Sequence, residues 1–228
     1  MKNYHAKATI RKQILIRFIL AFMILCIVFF LPARTLRYWE AWIYIGILLT
    51  CASSVIIYFL KHDPEFLERR MRTREKVKEQ KKIIGLGWFL FLPTFLIPGF
   101  DRYYGWSDIP LSLVIISDIF VLAGYIIVIR VFRENSFASR VVEINAGQKV
   151  ISTGPYSLVR HPMYSGNLLM YGFTPLALGS WWALTGSGLI FILILFRILS
   201  EEKFLIENLE GYREYKNKTI YRLIPGIW

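Results

Sequence analysis

The stretch Met163–Leu199, MYSGNLLMYGFTPLALGSWWALTGSGLIFILILFRIL, decides the fold. About 20 apolar residues cross a hydrocarbon core of about 30 Å, so this region is too long for one ordinary span. Gly172, Pro175, Gly179 and Gly186 interrupt it, and Gly179-Ser180-Trp181-Trp182 lies near its middle. Glycine favours a turn there, and the paired tryptophans suit a water interface. The stretch reads as a helical hairpin with its turn at 179–182. If the weaker first arm, Met163–Leu178, is re-entrant, it reads as one full crossing with a partial one before it.

Four further apolar runs precede the hairpin: Ile14–Leu31, Ala41–Leu60, Ile83–Phe100 and Pro110–Phe132. The expectation is an all-α, polytopic integral-membrane bundle of five to six transmembrane helices, ending in the helical hairpin. Composition agrees. Of 228 residues, 55% are hydrophobic and 19% charged, against about 45–50% and about 25% in soluble domains. Lys2, Lys7, Arg11 and Lys12 precede the first run as they would in a signal peptide. However, the run is long and Leu31-Pro32-Ala33-Arg34 is a poor cleavage site, so it reads as a retained helix.

Charge gives the orientation. The chain carries 28 Lys and Arg against 16 Asp and Glu. With six crossings, 25 of the 28 cations fall on one side; the other side holds Arg34, Arg37 and Arg102, balanced by Glu40, Asp101 and Asp108. The positive-inside bias places both termini in the cytoplasm. The net charge of +12 then reflects topology and anionic lipid, with no nucleic-acid partner required. The loop Lys61–Lys82 mixes nine basic and five acidic residues, which suggests a short amphipathic helix on the inner leaflet or a solvated loop. Residues 1–132 hold four crossings and this loop, and 133–228 hold the hairpin and tail. Nothing divides the chain into separate domains.

Several chemistries are excluded or disfavoured. No G-x-G-x-x-G follows a strand-like run, and there is no P-loop or H-E-x-x-H. Cys26 and Cys51 lie in apolar runs, and His5, His62 and His161 are isolated, so no metal site is expected. Asp118, in the outer half of the fourth crossing, is expected to make a helix-packing hydrogen bond.

Polar residues gather between the fourth crossing and the hairpin, in GQKVISTGPYSLVRHPMYSGN, 147–167. Thr153-Gly154-Pro155-Tyr156 is a turn. Pro162 suits the first position of a helix, with His161 just before it. Tyr164, Asn167 and Tyr171 share a helical face. On the returning arm, Arg197 and Glu201 are spaced to pair, and Glu202 lies about 100° around the helix from Glu201. A hairpin that crosses and returns brings Arg160-His161 and Glu201-Glu202 to one membrane face. Spacing alone leaves interfacial anchoring as an equal alternative.

Gly154-Pro155-Tyr156, Arg160-His161-Pro162-Met163-Tyr164-Ser165-Gly166, Glu201-Glu202 and Gly211-Tyr212-x-x-Tyr215 together resemble the isoprenylcysteine carboxyl methyltransferase family. That family groups with the phospholipid methyltransferases, integral-membrane enzymes that use S-adenosylmethionine and release S-adenosylhomocysteine. The resemblance covers roughly residues 130–228 and makes 133–228 the methyltransferase-like region. It implies a cofactor pocket at the cytoplasmic face, formed by the R-H-P stretch, the E-E helix and the tail.

Carried onto this chain, the implied cofactor-binding residues are Gln148, Val150, Gly154, Tyr156, Val159, Arg160, His161, Pro162, Tyr164, Asn167, Glu201 and Glu202. Arg160 or His161 would meet the cofactor carboxylate. Glu201 or Glu202 would meet its ammonium or ribose hydroxyls, and backbone groups of 150–156 would close on the adenine. Lys218 or Arg222 would orient an anionic acceptor, and Glu202 or a tyrosine would assist an amine acceptor. The implied acceptor is lipid-like or isoprenoid and offers a carboxylate, amine or thiol. Two other readings compete. NADPH-dependent sterol-type reductases share the R-H-P element and a segment like Tyr221-Arg222-Leu223-Ile224-Pro225, but have Arg-Asp where this chain has Glu201-Glu202. A non-enzymatic membrane protein that keeps the fold is the other.

Overall fold

The computed structural model describes residues 2–71, 78–138 and 147–228. Among these there are eight α-helices and no strand. They are α1 (Lys2–Ala33), α2 (Trp39–His62), α3 (Pro64–Met71), α4 (Lys78–Tyr104), α5 (Leu111–Glu134), α6 (Pro162–Ala177), α7 (Ala183–Asn208) and α8 (Tyr212–Lys218). A 3-10 turn, Gly154–Ser157, precedes α6. Five of the helices, α1, α2, α4, α5 and α7, are long and apolar enough to cross a membrane. Leu20, Ile24, Phe89, Ile119 and Phe196 stand exposed on their outer faces. This is the surface expected where lipid replaces water as the solvent.

Local chemistry sets the helix ends. Pro110 precedes α5 and Pro162 opens α6, where a missing N–H costs nothing. Glu40 in the first turn of α2 and Lys61 in its last turn oppose the helix dipole. Arg34 stops α1 in the left-handed region, at φ 51°.

The C-terminal hairpin forms with its turn where the sequence places it. Gly179 takes φ +72°, which an L side chain would resist. The Gly179 and Ser180 amides bond the carbonyls of Leu176 (3.0 Å) and Pro175 (2.9 Å). Ser180 Oγ donates to Asp101 at the end of α4. Asp101 also accepts from the amide and hydroxyl of Ser107, each at 2.7 Å. With 16 residues, α6 is about 24 Å long at 1.5 Å per residue. It nevertheless joins the two polar ends of the bundle, from His161 beside Glu202 to Leu178 beside Tyr38. The first arm thus runs between the two ends as a sixth, shorter helix.

Two seams hold the hairpin in the bundle. Gly124 of α5 faces Gly166 of α6 so closely that a Cβ on the first would lie 2.6 Å from the Gly166 oxygen. A Cβ on Gly166 would lie 2.7 Å from the Gly124 oxygen. Small residues at such a crossing let helix backbones approach where no hydrophobic effect drives them together. Along the other seam, Gly186 of α7 sits against Thr94 of α4.

The amphipathic helix expected in the basic loop is α3. Its apolar face meets protein rather than a leaflet. Phe66 is fully buried, stacked on Phe59 at 4.1 Å and tilted against Phe132 at 5.3 Å. The remainder of that expected segment, 72–77, lies outside the described residues, as do 139–146 of the connection to the 3-10 turn. Asp118 departs from expectation. It is buried, but its Oδ1 has no hydrogen-bond partner among the described residues.

Candidate active site

The site grows from the two ends of the hairpin. Pro162 starts α6 and fixes Arg160 and His161 just ahead of it, and α7 returns to place Glu202 opposite. Arg160 donates Nε to Glu202 Oε1 at 2.7 Å, and His161 Nε2 lies 3.3 Å from the same oxygen. Arg222, from the tail, donates Nε to Glu202 Oε2 at 3.0 Å. Arg160, His161 and Glu202 are all buried. A carboxylate so deep persists because each oxygen meets a charge-assisted partner.

The tail is tied to the same arginine. Arg160 Nη1 donates to the carbonyls of Thr219 (2.8 Å) and Ile220 (2.7 Å). The amides of Arg160 and His161 bond the carbonyls of Tyr221 and Arg222, each at 2.9 Å. Ser165 Oγ donates to the Leu223 carbonyl at 2.6 Å.

A second cluster lies one face around α7. Arg197 Nε donates to the Tyr164 hydroxyl at 2.8 Å, and that hydroxyl donates to Glu201 Oε2 at 2.7 Å. The spacing that suggested a direct Arg197–Glu201 pair therefore also admits a phenol between them. Gln80 of α4 is fully buried and donates Nε2 to the Arg197 carbonyl at 3.4 Å. Its Oε1 has no partner among the described residues.

The turn before α6 is fastened from below. Gly154, at φ +55°, sits against the Glu134 carboxyl, to which Thr153 Oγ1 donates. Asn135 Nδ2 donates to the Tyr156 hydroxyl at 2.9 Å, and the Tyr215 hydroxyl donates to the Tyr156 carbonyl at 2.7 Å. Burial pushes the Tyr156 hydroxyl up to about 12, with the Asn135 bond opposing. Burial also raises Tyr212 and Tyr215. These phenols keep their protons at neutral pH; Tyr215 donates, and Tyr156 accepts from Asn135. The buried Tyr212 hydroxyl has no partner among the described residues.

The structure thus brings Arg160, His161, Tyr164, Glu201, Glu202 and Arg222 to one end of the bundle, with Val159 and Pro162 buried beside them. Tyr156 joins them through Tyr215, and Val150 lies by Gly211, whose added Cβ would come 3.8 Å from Val150 Cγ2. Gln148 is half-buried ahead of the turn, and Asn167 is half-buried in the next turn of α6. The two tail cations separate: Arg222 is bound to Glu202, whereas Lys218 is exposed at the end of α8. Sequence reasoning missed Gln80, Thr219 and Trp228, none of which carries a local signal. Asn135 is marked in the sequence by its proximity to the turn alone, and the structure gives it the Tyr156 hydroxyl as a partner.

Residues 113–211 match the model of the phospholipid methyltransferase family, which includes isoprenylcysteine carboxyl methyltransferase-like membrane methyltransferases. The match runs from α5 to the glycine before α8. It contains the R-H-P and E-E elements and supports a membrane methyltransferase. No curated protein matches the chain.

Proposed function

We propose that this protein is an integral-membrane, S-adenosylmethionine-dependent methyltransferase that acts on a lipid-like or isoprenoid acceptor at the cytoplasmic face. The observation that carries the reading is the convergence of Arg160, His161 and Arg222 on the buried Glu202, inside and beside the segment that matches the family.

The residues fit the cofactor by their donor set. An amino-acid zwitterion needs donors for its carboxylate and an acceptor for its ammonium. Arg160 keeps Nη2 beyond the nitrogens bound to Glu202 and the tail carbonyls, and Glu201 supplies a carboxylate one position along the helix. The unpartnered Tyr212 hydroxyl offers a further donor. S-adenosylmethionine supplies an electrophilic methyl group on a sulfonium.

The chain's own contribution is positioning and exclusion of water. The hub locks Arg160 and Arg222, so their orientation is set before ligands bind, and in-line transfer benefits mainly from such pre-arrangement. Glu202 has both oxygens engaged, which suits an anchor. Tyr156, Tyr212 and Tyr215 hold their protons, so none is a ready base. A carboxylate acceptor needs no base, because it is ionised at neutral pH. Arg222, drawn into the hub, is the tail cation placed to orient an anionic acceptor. The excess of cations on the termini and loops at this end of the bundle supports a cytoplasmic placement.

The test is incubation of the purified protein with labelled S-adenosylmethionine and membrane extract of its host. Label in a lipid-soluble product supports the reading. Label confined to soluble products, or none, contradicts it.

A further inference from the structure

The tail beyond α8 doubles back on itself at Arg222. The main-chain oxygen of Trp228 accepts from the amides of Arg222 (2.8 Å), Leu223 (2.9 Å) and Ile224 (3.2 Å). The Trp228 amide returns to the Ile224 carbonyl at 3.1 Å. This small loop carries the indole beneath the guanidinium, with Arg222 Cζ 4.8 Å from the ring centroid. The indole itself packs against the apolar cluster of Tyr164, Ile190, Ile194, Ile198 and Leu223.

Arg222 is therefore held in three ways. Glu202 takes its Nε at 3.0 Å. His161 takes its carbonyl at 2.9 Å. Trp228 takes one face of its guanidinium. Among the described residues neither Nη atom makes a hydrogen bond, and the side chain is 25% exposed. What remains is a two-nitrogen edge whose plane is fixed. Such an edge matches a carboxylate or phosphate through two parallel hydrogen bonds, and its value depends on the plane being set.

We propose that Trp228 is a positioning residue, whose indole fixes the plane of Arg222 so that its Nη edge meets the carboxylate or phosphate of the methyl acceptor. This rests on the methyltransferase reading for what the edge serves, but the coupling of Trp228 to Arg222 can be measured without it. A ring face under a partly shielded guanidinium is worth a few-fold to tens of fold in affinity. The ring can be replaced by another aromatic, whereas lysine, with no plane to orient, cannot replace the arginine.

The test uses the full chain in neutral detergent and two kinds of probe. Oleate and dioleoyl phosphatidic acid represent anionic amphiphiles, with oleyl alcohol as the neutral control. S-adenosylhomocysteine, by calorimetry, reports the cofactor side. Trp228→Ala should weaken oleate or phosphatidic acid binding about fivefold while leaving S-adenosylhomocysteine binding within about twofold. Trp228→Phe should restore most of the loss, and Trp228→Ala should have no further effect in an Arg222→Lys background. Unchanged probe binding in Trp228→Ala, failure of Trp228→Phe to restore it, or additive losses with Arg222→Lys would overturn the proposal. Loss of S-adenosylhomocysteine binding with the anionic probes unaffected would give the edge to the cofactor and overturn the acceptor assignment. If the wild-type chain binds the anionic probes but no S-adenosylhomocysteine, the methyltransferase reading fails while the Trp228–Arg222 coupling still stands or falls on its own cycle.

Discussion

Arg160 and Glu202, separated by 42 positions in the chain, meet at 2.7 Å with both side chains buried. This contact closes the hairpin at the end opposite its turn, and every other polar contact of the hub is arranged around it. Removing one member leaves the rest as uncompensated buried charge. Glu202→Gln should therefore destabilise the protein by about 3–5 kcal/mol, seen as a lower unfolding midpoint in detergent. An unchanged midpoint would mean that Arg160 and Arg222 find other partners.

The tail cations should part company. Arg222→Ala removes a guanidinium bound to Glu202 and should lower methyl transfer by at least about tenfold, the scale of one charge-assisted hydrogen bond. Lys218→Ala alters an exposed side chain at the end of α8 and should shift stability by no more than about 0.5 kcal/mol. Initial rates and unfolding midpoints of the two variants, measured side by side, check this. Equal losses would disprove the placement of Arg222.

The seam between α5 and α6 should tolerate no bulk. Gly166→Val would drive a side chain into the Gly124 carbonyl, which already lies 2.7 Å from the position of a Cβ. Overpacking of this kind costs about 1–3 kcal/mol. Gly188→Ala, at a position with nothing within 4 Å of its Cβ, is the matched control. Comparing the two unfolding midpoints gives the seam its weight.

High pH should loosen the turn before α6. Tyr156 keeps its proton to about 12 in the folded chain, whereas an unfolded tyrosine loses it near pH 10. The folded state binds this proton more tightly, so the Tyr156 contribution is fully present below pH 10 and is lost as pH rises to about 12. Tyr156→Phe should flatten the fall in stability across that window. An unchanged slope would show that Tyr156 titrates as an ordinary surface phenol.

Much of this arrangement is legible in the sequence because it is carried by local signals and topology. Gly179 marks the turn, Pro162 marks the start of α6, and a hairpin between them and Glu202 forces the R-H-P and E-E elements to one end. Other features leave no such trace. The tail is held by main-chain bonds, Arg160 and His161 to Tyr221 and Arg222, and these do not depend on side-chain identity or on any periodic pattern. Phe66 shows a second limit. Periodicity identifies an apolar face on α3, but lipid and the Phe59–Phe132 pair are equally apolar partners. Gln80 shows a third: an amide among the charged residues that open α4, Lys78-Glu79-Gln80-Lys81-Lys82, reads as solvated until α7 is found beside it. Asp118 keeps a buried oxygen without a partner among the described residues, which neither its spacing nor its packing explains.

The most direct test of the central claim is calorimetric titration of S-adenosylmethionine into the purified chain, with NADPH as the comparison ligand. The account predicts binding of S-adenosylmethionine in the micromolar range, none of NADPH, and loss of affinity in folded Glu202→Ala and His161→Ala variants. Binding of NADPH in its place, or undiminished affinity for S-adenosylmethionine in both variants, would contradict it.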